Sequence, residues 1–219
     1  MRVVIAGGHG KIALLTERLL SERGDSVAGF IRNPDHAADL GAAGAEPIVL
    51  DLENSDVETV ASHLRGADAV IFAAGAGPGS GAARKQTVDR DAAILLADAA
   101  EAAGVRRYVM ISAMGADAQV PDDVADEVFV AYLRAKGAAD DDIRSRAGLS
   151  TTIVRPGALT DDPGTGKVRL AAQTGRGSIP RADVAAVLVA VLDAPDTGGQ
   201  TFELVEGDTP IPEALTALG

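Results

Sequence analysis

The first thirteen residues place an apolar strand, a glycine-rich turn and the start of a helix in immediate succession. Residues 3–6 are apolar, glycines follow at 7, 8 and 10, and Ala13 lies in the second turn of the helix. A helix N-terminus at the end of a strand presents free N–H groups and partial positive charge, which suits a pyrophosphate. The glycines let phosphates approach the backbone, and the small Ala13 lets helix and strand pack closely. We therefore expect a dinucleotide to be held by Gly7, Gly8, His9, Gly10, Lys11 and Ile12.

The residue that follows the second predicted strand, residues 26–31, indicates which dinucleotide binds. An NAD site has Asp or Glu about 20 residues past the glycines to take the ribose hydroxyls. This chain has Arg32 at that place. A guanidinium offers a fork of donors to a 2′-phosphate, whereas a carboxylate repels it, so NADP is expected over NAD. Lys11 either adds a second positive contact or is simply a solvated lysine.

Composition limits the partners. The chain has 219 residues, of which 47% are apolar, and a net charge of −12. This length and apolar share predict one domain over residues 1–219 with one sizeable core. Nucleic acids and anionic membranes need a basic face, so we expect neither as a partner and expect a small-molecule substrate instead. The oligomeric state is left open.

Other residue types limit the chemistry and the compartment. Cysteine is absent, which excludes disulfides, thiolate metal sites and a thiol nucleophile. His9, His36 and His63 lack metal-ligand spacing, so no metal is expected. The first strand begins at Arg2, leaving no room for a signal peptide, and the longest apolar run, residues 184–192, is too short to span a bilayer. We expect a cytoplasmic protein.

Strands and helices alternate along the rest of the chain. Further strands are predicted at residues 26–31, 47–50, 69–73, 105–111, 151–154 and 201–205, and helices at 35–40, 56–64, 84–103, 126–147, 182–192 and 212–218. The strands are continuous apolar runs, as expected where both faces of a parallel sheet are covered. The fold class is therefore α/β, a Rossmann-type doubly wound parallel sheet with helices on both faces. Residues 157–180 are loop-rich and are expected to form substrate-side loops in a small C-terminal substrate region.

A tyrosine and a lysine lie four residues apart on the predicted helix at residues 126–147. Tyr132 and Lys136 therefore share one face of that helix, one turn apart. A nearby ammonium favours the phenolate, so we expect a lowered tyrosine pKa and acid–base chemistry at a carbonyl. Lysine also suits the nicotinamide ribose. The alternative is an amphipathic helix that contains both residues by chance.

These motifs together resemble the short-chain dehydrogenase/reductase superfamily. The resemblance is carried by the opening turn, by single positions after the third, fourth and fifth strands, and by the tyrosine–lysine pair; the positions are Asp51, Leu52, Ala73, Ala74, Gly75, Ser112, Tyr132 and Lys136. The sequences at residues 132–136, 153–160 and 181–185 resemble its atypical NAD(P)-binding, epimerase/dehydratase-like branch.

The resemblance implies roles for individual residues. Asp51 and Leu52 meet the adenine, and Ala73, Ala74 and Gly75 lie along the cofactor. Ser112 orients a substrate oxygen and Tyr132 transfers the proton. Many relatives carry an asparagine where this chain has Asp89, and an ionised carboxylate accepts hydrogen bonds but cannot donate them. The proton relay is therefore altered or absent. An acidic loop at residues 121–123 separates Ser112 from Tyr132.

Three functions are compatible with these features. The first is an NADP(H)-dependent oxidoreductase acting on a small carbonyl or alcohol. The second is a sugar epimerase or dehydratase, which the short region after the sixth strand disfavours because it leaves little to enclose a second nucleotide. The third is a non-catalytic NADP(H)-binding redox sensor, which Asp89 favours and the intact Tyr132/Lys136 pair opposes.

Overall fold

The computed structural model describes residues 1–77, 79–116 and 126–218. Its strands are β1 (Arg2–Ala6), β2 (Ser26–Ile31), β3 (Glu46–Val49), β4 (Ala69–Phe72), β5 (Arg107–Ile111), β6 (Ser150–Pro156), β7 (Ala158–Thr160), β8 (Lys167–Ala171), β9 (Ser178–Pro180), β10 (Gln200–Glu206) and β11 (Thr209–Pro210). Its α-helices are α1 (Lys11–Glu22), α2 (Ala37–Ala42), α3 (Val57–Leu64), α4 (Ala82–Arg84), α5 (Ala92–Ala103), α6 (Glu127–Ser145), α7 (Arg181–Leu192) and α8 (Ile211–Thr216).

The main sheet confirms the predicted doubly wound architecture. It has nine strands in the order β11-β8-β10-β6-β5-β4-β1-β2-β3. Each neighbouring pair from β3 to β10 along this order is parallel. The strand order reverses between β1 and β4, and ligands of open α/β sheets bind at such a reversal, beyond the carboxyl ends of the strands.

Both faces of this sheet are covered, as the uninterrupted apolar strands predict. In β1, Val3 and Ile5 pack in a cluster that includes residues of α1 and α7. Val4 and Ala6 face the opposite cluster, which includes residues of α3 and α5. All four side chains are fully buried, so β1 is held between two helical layers. This packing fixes the position of the turn that follows β1.

Residues 157–180, predicted to be loop-rich, also include three strands that were not predicted. They contain β7, β8 and β9; β8 joins the main sheet antiparallel to β10, and β7 pairs with β9. In β8 the buried Val168 alternates with the exposed Lys167 and Arg169, as expected at the margin of a sheet. Because of these charged residues, β8 is not an apolar run and was not recognised as a strand in the sequence. The predicted acidic loop at residues 121–123 lies outside the described residues.

The helix predicted at residues 84–103 has an irregular first part. A π-helical stretch, Lys85–Asp91, lies between α4 and α5. A π-helix widens the turn and changes which side chains point inward, and such stretches are frequent at functional sites. Here Lys85, Val88 and Asp89 are buried.

Candidate functional site

A large cavity lined by described residues runs along the carboxyl ends of the central strands. Its volume is about 1580 Å³. The turn after β1, the segment after β4 and the start of α6 contribute to its wall. Among the predicted site residues, those that line it are Gly7, His9, Gly10, Ile12, Arg32, Asp51, Leu52, Ala73, Ala74, Gly75, Asp89, Ser112, Tyr132 and Lys136. The fold therefore brings both sets of predicted residues to one cleft.

The turn after β1 has the shape that a dinucleotide pyrophosphate requires. Gly7 has φ +83°, and a Cβ there would lie 2.6 Å from the Cα of Ala74. The Gly10 amide donates to the carbonyl of Gly7 at 2.9 Å, and α1 begins at the next residue. No side chain caps this 12-residue helix, so its first N–H groups are available to an anion. These features fit a bound dinucleotide, with the turn as its phosphate cradle.

Two residues predicted to bind the cofactor lie outside the cavity wall. Gly8 is buried beneath the turn, where its amide donates to the carbonyl of Phe30 at 2.9 Å. Lys11 points away, with its Nζ 2.6 Å from Oδ2 of Asp161. That ion pair places Lys11 at a second, smaller hollow. Lys11 is thus an exposed lysine paired with Asp161 in this structure, and its contact with the cofactor stays a prediction.

Arg32 lies at one end of the cavity beside a shared carboxylate. Its Nη1 is 3.1 Å from Oε2 of Glu53, which also accepts from Nη2 of Arg84 at 2.6 Å. The Arg84 hydrogen bond holds the pKa of Glu53 below its usual value, and Arg32 acts in the same direction. The Arg32 side chain remains 58% exposed, so it is accessible to a ligand phosphate.

The imidazoles of His9 and His36 stack in the wall of the same cavity. Their centroids are 3.5 Å apart, with the planes 11° from parallel. His9 also bonds to Asp39, with 2.8 Å between Nε2 and Oδ2. Within the described part of the chain, no group of three or more His, Cys, Asp or Glu side chains is placed to hold a metal ion. The stack instead forms a flat surface beside the phosphate turn.

Tyr132, Lys136 and Asp89 meet at the other end. Lys136 is buried, and its Nζ donates to the carbonyl of Ile111 at 3.0 Å and lies 3.6 Å from Oδ1 of Asp89. The other Asp89 oxygen accepts from the amide of Ala76 at 3.2 Å. Asp89 therefore links the loop after β4 to α6, and both of its carboxylate oxygens act as acceptors.

The electrostatics differ from the prediction for Tyr132. Burial raises its pKa, and the carboxylates of Asp89 and Asp140 act in the same direction. The predicted lowering by Lys136 is wrong, because that ammonium is itself desolvated and engaged by Asp89. Burial lowers the pKa of Lys136, with Asp89 opposing. The Tyr132 phenol is consequently neutral and carries a proton to donate.

Ser112 lines the same cavity but has a protein partner. Its Oγ donates to Oδ2 of Asp140 at 2.8 Å, and Arg155 donates to the same oxygen from Nε at 2.8 Å and Nη2 at 2.6 Å. Burial raises the pKa of Asp140 despite Arg155. With its proton committed to Asp140, the Ser112 hydroxyl offers a ligand its acceptor lone pairs.

Sequence reasoning missed several of these residues. Asp140 follows Lys136 by four positions, as Lys136 follows Tyr132, so helical spacing alone signals a third polar group on that face. Glu53, Arg84 and Lys85 carry no comparable signal, since their placement depends on tertiary packing. Tyr108, the other tyrosine, is buried with its OH bonded to the carbonyl of Ala93. Its role is to pack the core.

Comparison with known proteins establishes the family. Residues 7–195 match the model of an NAD(P)H-binding family, and the chain belongs to that family. It is 40% identical to YhfK of Bacillus subtilis, named an uncharacterized sugar epimerase, over the full length of both chains. The chain is therefore a member of an NAD(P)-binding, oxidoreductase- and epimerase-like family.

Solved structures show the same fold. A Bacillus halodurans protein named as an NAD-dependent epimerase/dehydratase has 35% identity and a TM-score of 0.90, with 99% of each chain covered. ChuY of Escherichia coli O157:H7, named an anaerobillin reductase, has 26% identity and a TM-score of 0.80, covering 95% of this chain and 98% of that one. None of the described helices is long and apolar enough to cross a membrane.

Proposed function

We propose that this protein is an NADP(H)-dependent oxidoreductase that acts on a small carbonyl or alcohol. The observation that carries the proposal is the position of Tyr132 and Lys136 in the same cavity as the glycine turn after β1. The cavity continues from the turn to α6, where the partly buried, protonated phenol of Tyr132 is available. The name of the ChuY relative, a reductase, agrees with this chemistry.

Arg32 supports the preference for NADP. Its guanidinium lines the cavity and is more than half exposed, although Glu53 holds one of its nitrogens. A 2′-phosphate accepts charge-assisted hydrogen bonds from such a group. Arg84 shares the Glu53 carboxylate and adds positive charge to the same end of the cavity.

Each residue of the catalytic end has a distinct task. When bound, the reduced cofactor supplies a hydride to the carbonyl carbon. Tyr132 donates its proton to the carbonyl oxygen, which becomes the hydroxyl of the product. Lys136 lies one helical turn from Tyr132, is held by Ile111 and Asp89, and would bind the nicotinamide ribose. Ser112 accepts a hydrogen bond from the product hydroxyl.

Titration and turnover test the proposal together. NADPH and NADH are titrated into the protein, and NADPH oxidation is then followed with a panel of aldehydes, ketones and quinones. We expect tighter binding of NADPH and oxidation by at least one carbonyl class. Equal affinities would contradict the cofactor preference, and bound NADPH that no carbonyl oxidises would contradict the oxidoreductase.

A sugar epimerase is the second candidate, and the name of the Bacillus subtilis relative favours it. An epimerase returns the hydride to its substrate and consumes no net cofactor. Incubation with nucleotide sugars, followed by chromatography of the products, separates the two functions. Epimerised sugar without net NADPH consumption would replace our first proposal.

A further inference from the structure

Lys85 is a buried cation that the proposed chemistry does not use. Only 8% of this residue is exposed, and its inward position comes from the π-helical stretch Lys85–Asp91. Its Nζ donates to the carbonyl of Gly77 at 3.0 Å and lies 5.3 Å from the centroid of the Tyr132 ring. Over residues 1–77, 79–116 and 126–218, no carboxylate lies within ion-pair distance of it, 4.0 Å.

A buried ammonium with such partners is ready to bind an anion. Lysine is almost never buried unless it is paired, because desolvation of a lone charge is costly. An ammonium has three N–H donors, and one carbonyl and one aromatic face do not satisfy all of them. The nearby Asp89 is not an ion-pair partner of Lys85, since its oxygens are directed to Ala76 and Lys136.

Large apolar side chains also line this cavity, and one of them lies beside Tyr132. The Phe129 ring lies 6.1 Å from the Tyr132 ring, between centroids, and is tilted by 31°. Phe129 and Leu159 both line the cavity, and both are exposed, at 48% and 39%. Large apolar side chains left open beside a cavity are suited to cover an apolar ligand.

We propose that the substrate is an oxo acid, or the matching hydroxy acid, with an apolar body. Its carboxylate binds Lys85, its carbonyl oxygen meets Tyr132, and its body packs on Phe129 and Leu159. This inference rests on the proposed oxidoreductase function. In the reduction, the carbonyl carbon gains the hydride and its oxygen gains the Tyr132 proton. The carboxylate is unchanged, and solvent returns a proton to Tyr132.

The test compares two ligands that differ only in the charged group. The probes are 2-oxo-4-phenylbutanoate and 4-phenyl-2-butanone, in which a methyl replaces the carboxylate. Binding of each to the protein saturated with NADP⁺ is measured by calorimetry, which needs no turnover. The variants are Lys85→Met, which keeps the apolar stem, Lys85→Arg, which keeps the charge, and Lys167→Met, an exposed control outside the cavity wall. Thermal unfolding confirms that each variant folds.

We expect wild type to bind the oxo acid at least about tenfold more tightly than the ketone, as a charge-assisted hydrogen bond permits. Lys85→Met abolishes this preference, Lys85→Arg retains part of it, and Lys167→Met behaves as wild type. Equal binding of the two probes by wild type would overturn the inference, as would a preference that Lys85→Met retains.

A cofactor phosphate is the other anion that Lys85 could meet. The NADP⁺ affinity of Lys85→Met distinguishes a cofactor phosphate from a substrate carboxylate. We expect it to lie within about threefold of wild type, and a loss of tenfold or more with an unchanged oxo-acid preference assigns Lys85 to the cofactor instead. An oxo-acid preference without oxidation of NADPH by any carbonyl would refute the oxidoreductase and leave the carboxylate site standing.

Discussion

The hydroxyl of Ser112 donates a hydrogen bond to the buried carboxylate of Asp140, with 2.8 Å between Oγ and Oδ2. Arg155 binds the same carboxylate oxygen through two nitrogens. Ser112 follows β5, Asp140 lies on α6 and Arg155 lies on β6. One carboxylate therefore joins three elements near the Tyr132 end of the cavity.

Asp140→Asn is expected to destabilise the fold by about 3–5 kcal/mol, because it removes the buried negative charge to which Arg155 donates through two nitrogens. Asp141→Asn, next to it on α6 but exposed, is the matched control and should change stability by under about 1 kcal/mol. Urea unfolding measures both. A similar effect for the two variants would show that the buried pair does not hold these elements together.

Gly7→Ala is expected to damage both folding and cofactor binding. The new methyl would meet the Ala74 backbone at 2.6 Å, and the left-handed φ adds strain. Gly24 has a similar φ, +91°, with nothing within 4 Å, so Gly24→Ala isolates the strain at roughly 1–2 kcal/mol. We expect Gly7→Ala to lose several kcal/mol beyond that and to bind NADPH at least about tenfold more weakly. Equal losses in the two variants would contradict the close approach.

Glu17 makes stability depend on pH. Its carboxyl is fully buried against Gly8 and Gly29, with no hydrogen-bond partner for either oxygen among the described residues. Burial raises its pKa from 4.5 to about 8. Folding therefore favours the protonated form, and the stability contributed is fully present below pH 4.5 and declines until the pH passes about 8.

Glu17→Gln removes that dependence. We expect it to match wild type near pH 4.5 and to exceed it at pH 8 by on the order of 4 kcal/mol, the equivalent of the pKa shift. Glu22→Gln, at the exposed end of the same helix, is the control and should follow wild type at every pH. Chemical unfolding across this range measures all three. Parallel curves for wild type and Glu17→Gln would rule out a raised pKa.

Arg32→Met is expected to weaken NADPH binding by roughly 10- to 100-fold, because the 2′-phosphate loses its charged donor. NADH lacks that phosphate, so its affinity should stay within about threefold of wild type. Arg18→Met, on the exposed face of α1, controls for the lost charge. Fluorescence titration of both cofactors measures the ratio. An equal loss for NADPH and NADH would place Arg32 away from the phosphate.

Much of the fold follows directly from sequence periodicity. Every predicted strand is present, with ends within two residues of those observed. The central strands were readily predicted because strands buried on both faces are uninterrupted apolar runs. β8 was not predictable in this way, since the exposed Lys167 and Arg169 lie on either side of its buried residue, Val168. The convergence of Gly7 with Ala74 follows from strand order, which parallel α/β topology largely dictates.

The electrostatics of the site were harder to predict from the sequence. The spacing of Tyr132 and Lys136 predicts their shared helix face, but the direction of the Tyr132 pKa shift depends on burial and on Asp89 and Asp140. Burial and distant carboxylates are properties of the packed structure. The inward position of Lys85 likewise depends on the π-helical stretch, which no pattern in the sequence predicts.

The most direct test of the proposed chemistry compares wild type with Tyr132→Phe, which removes one oxygen and keeps the ring. NADPH affinity is first measured for both proteins, and NADPH oxidation by the best carbonyl substrate follows at saturating cofactor. We predict equal cofactor affinity and a kcat lower by about 100-fold or more in Tyr132→Phe, the loss expected for a general acid. A Tyr132→Phe variant as active as wild type would contradict the assignment of Tyr132 as the proton donor.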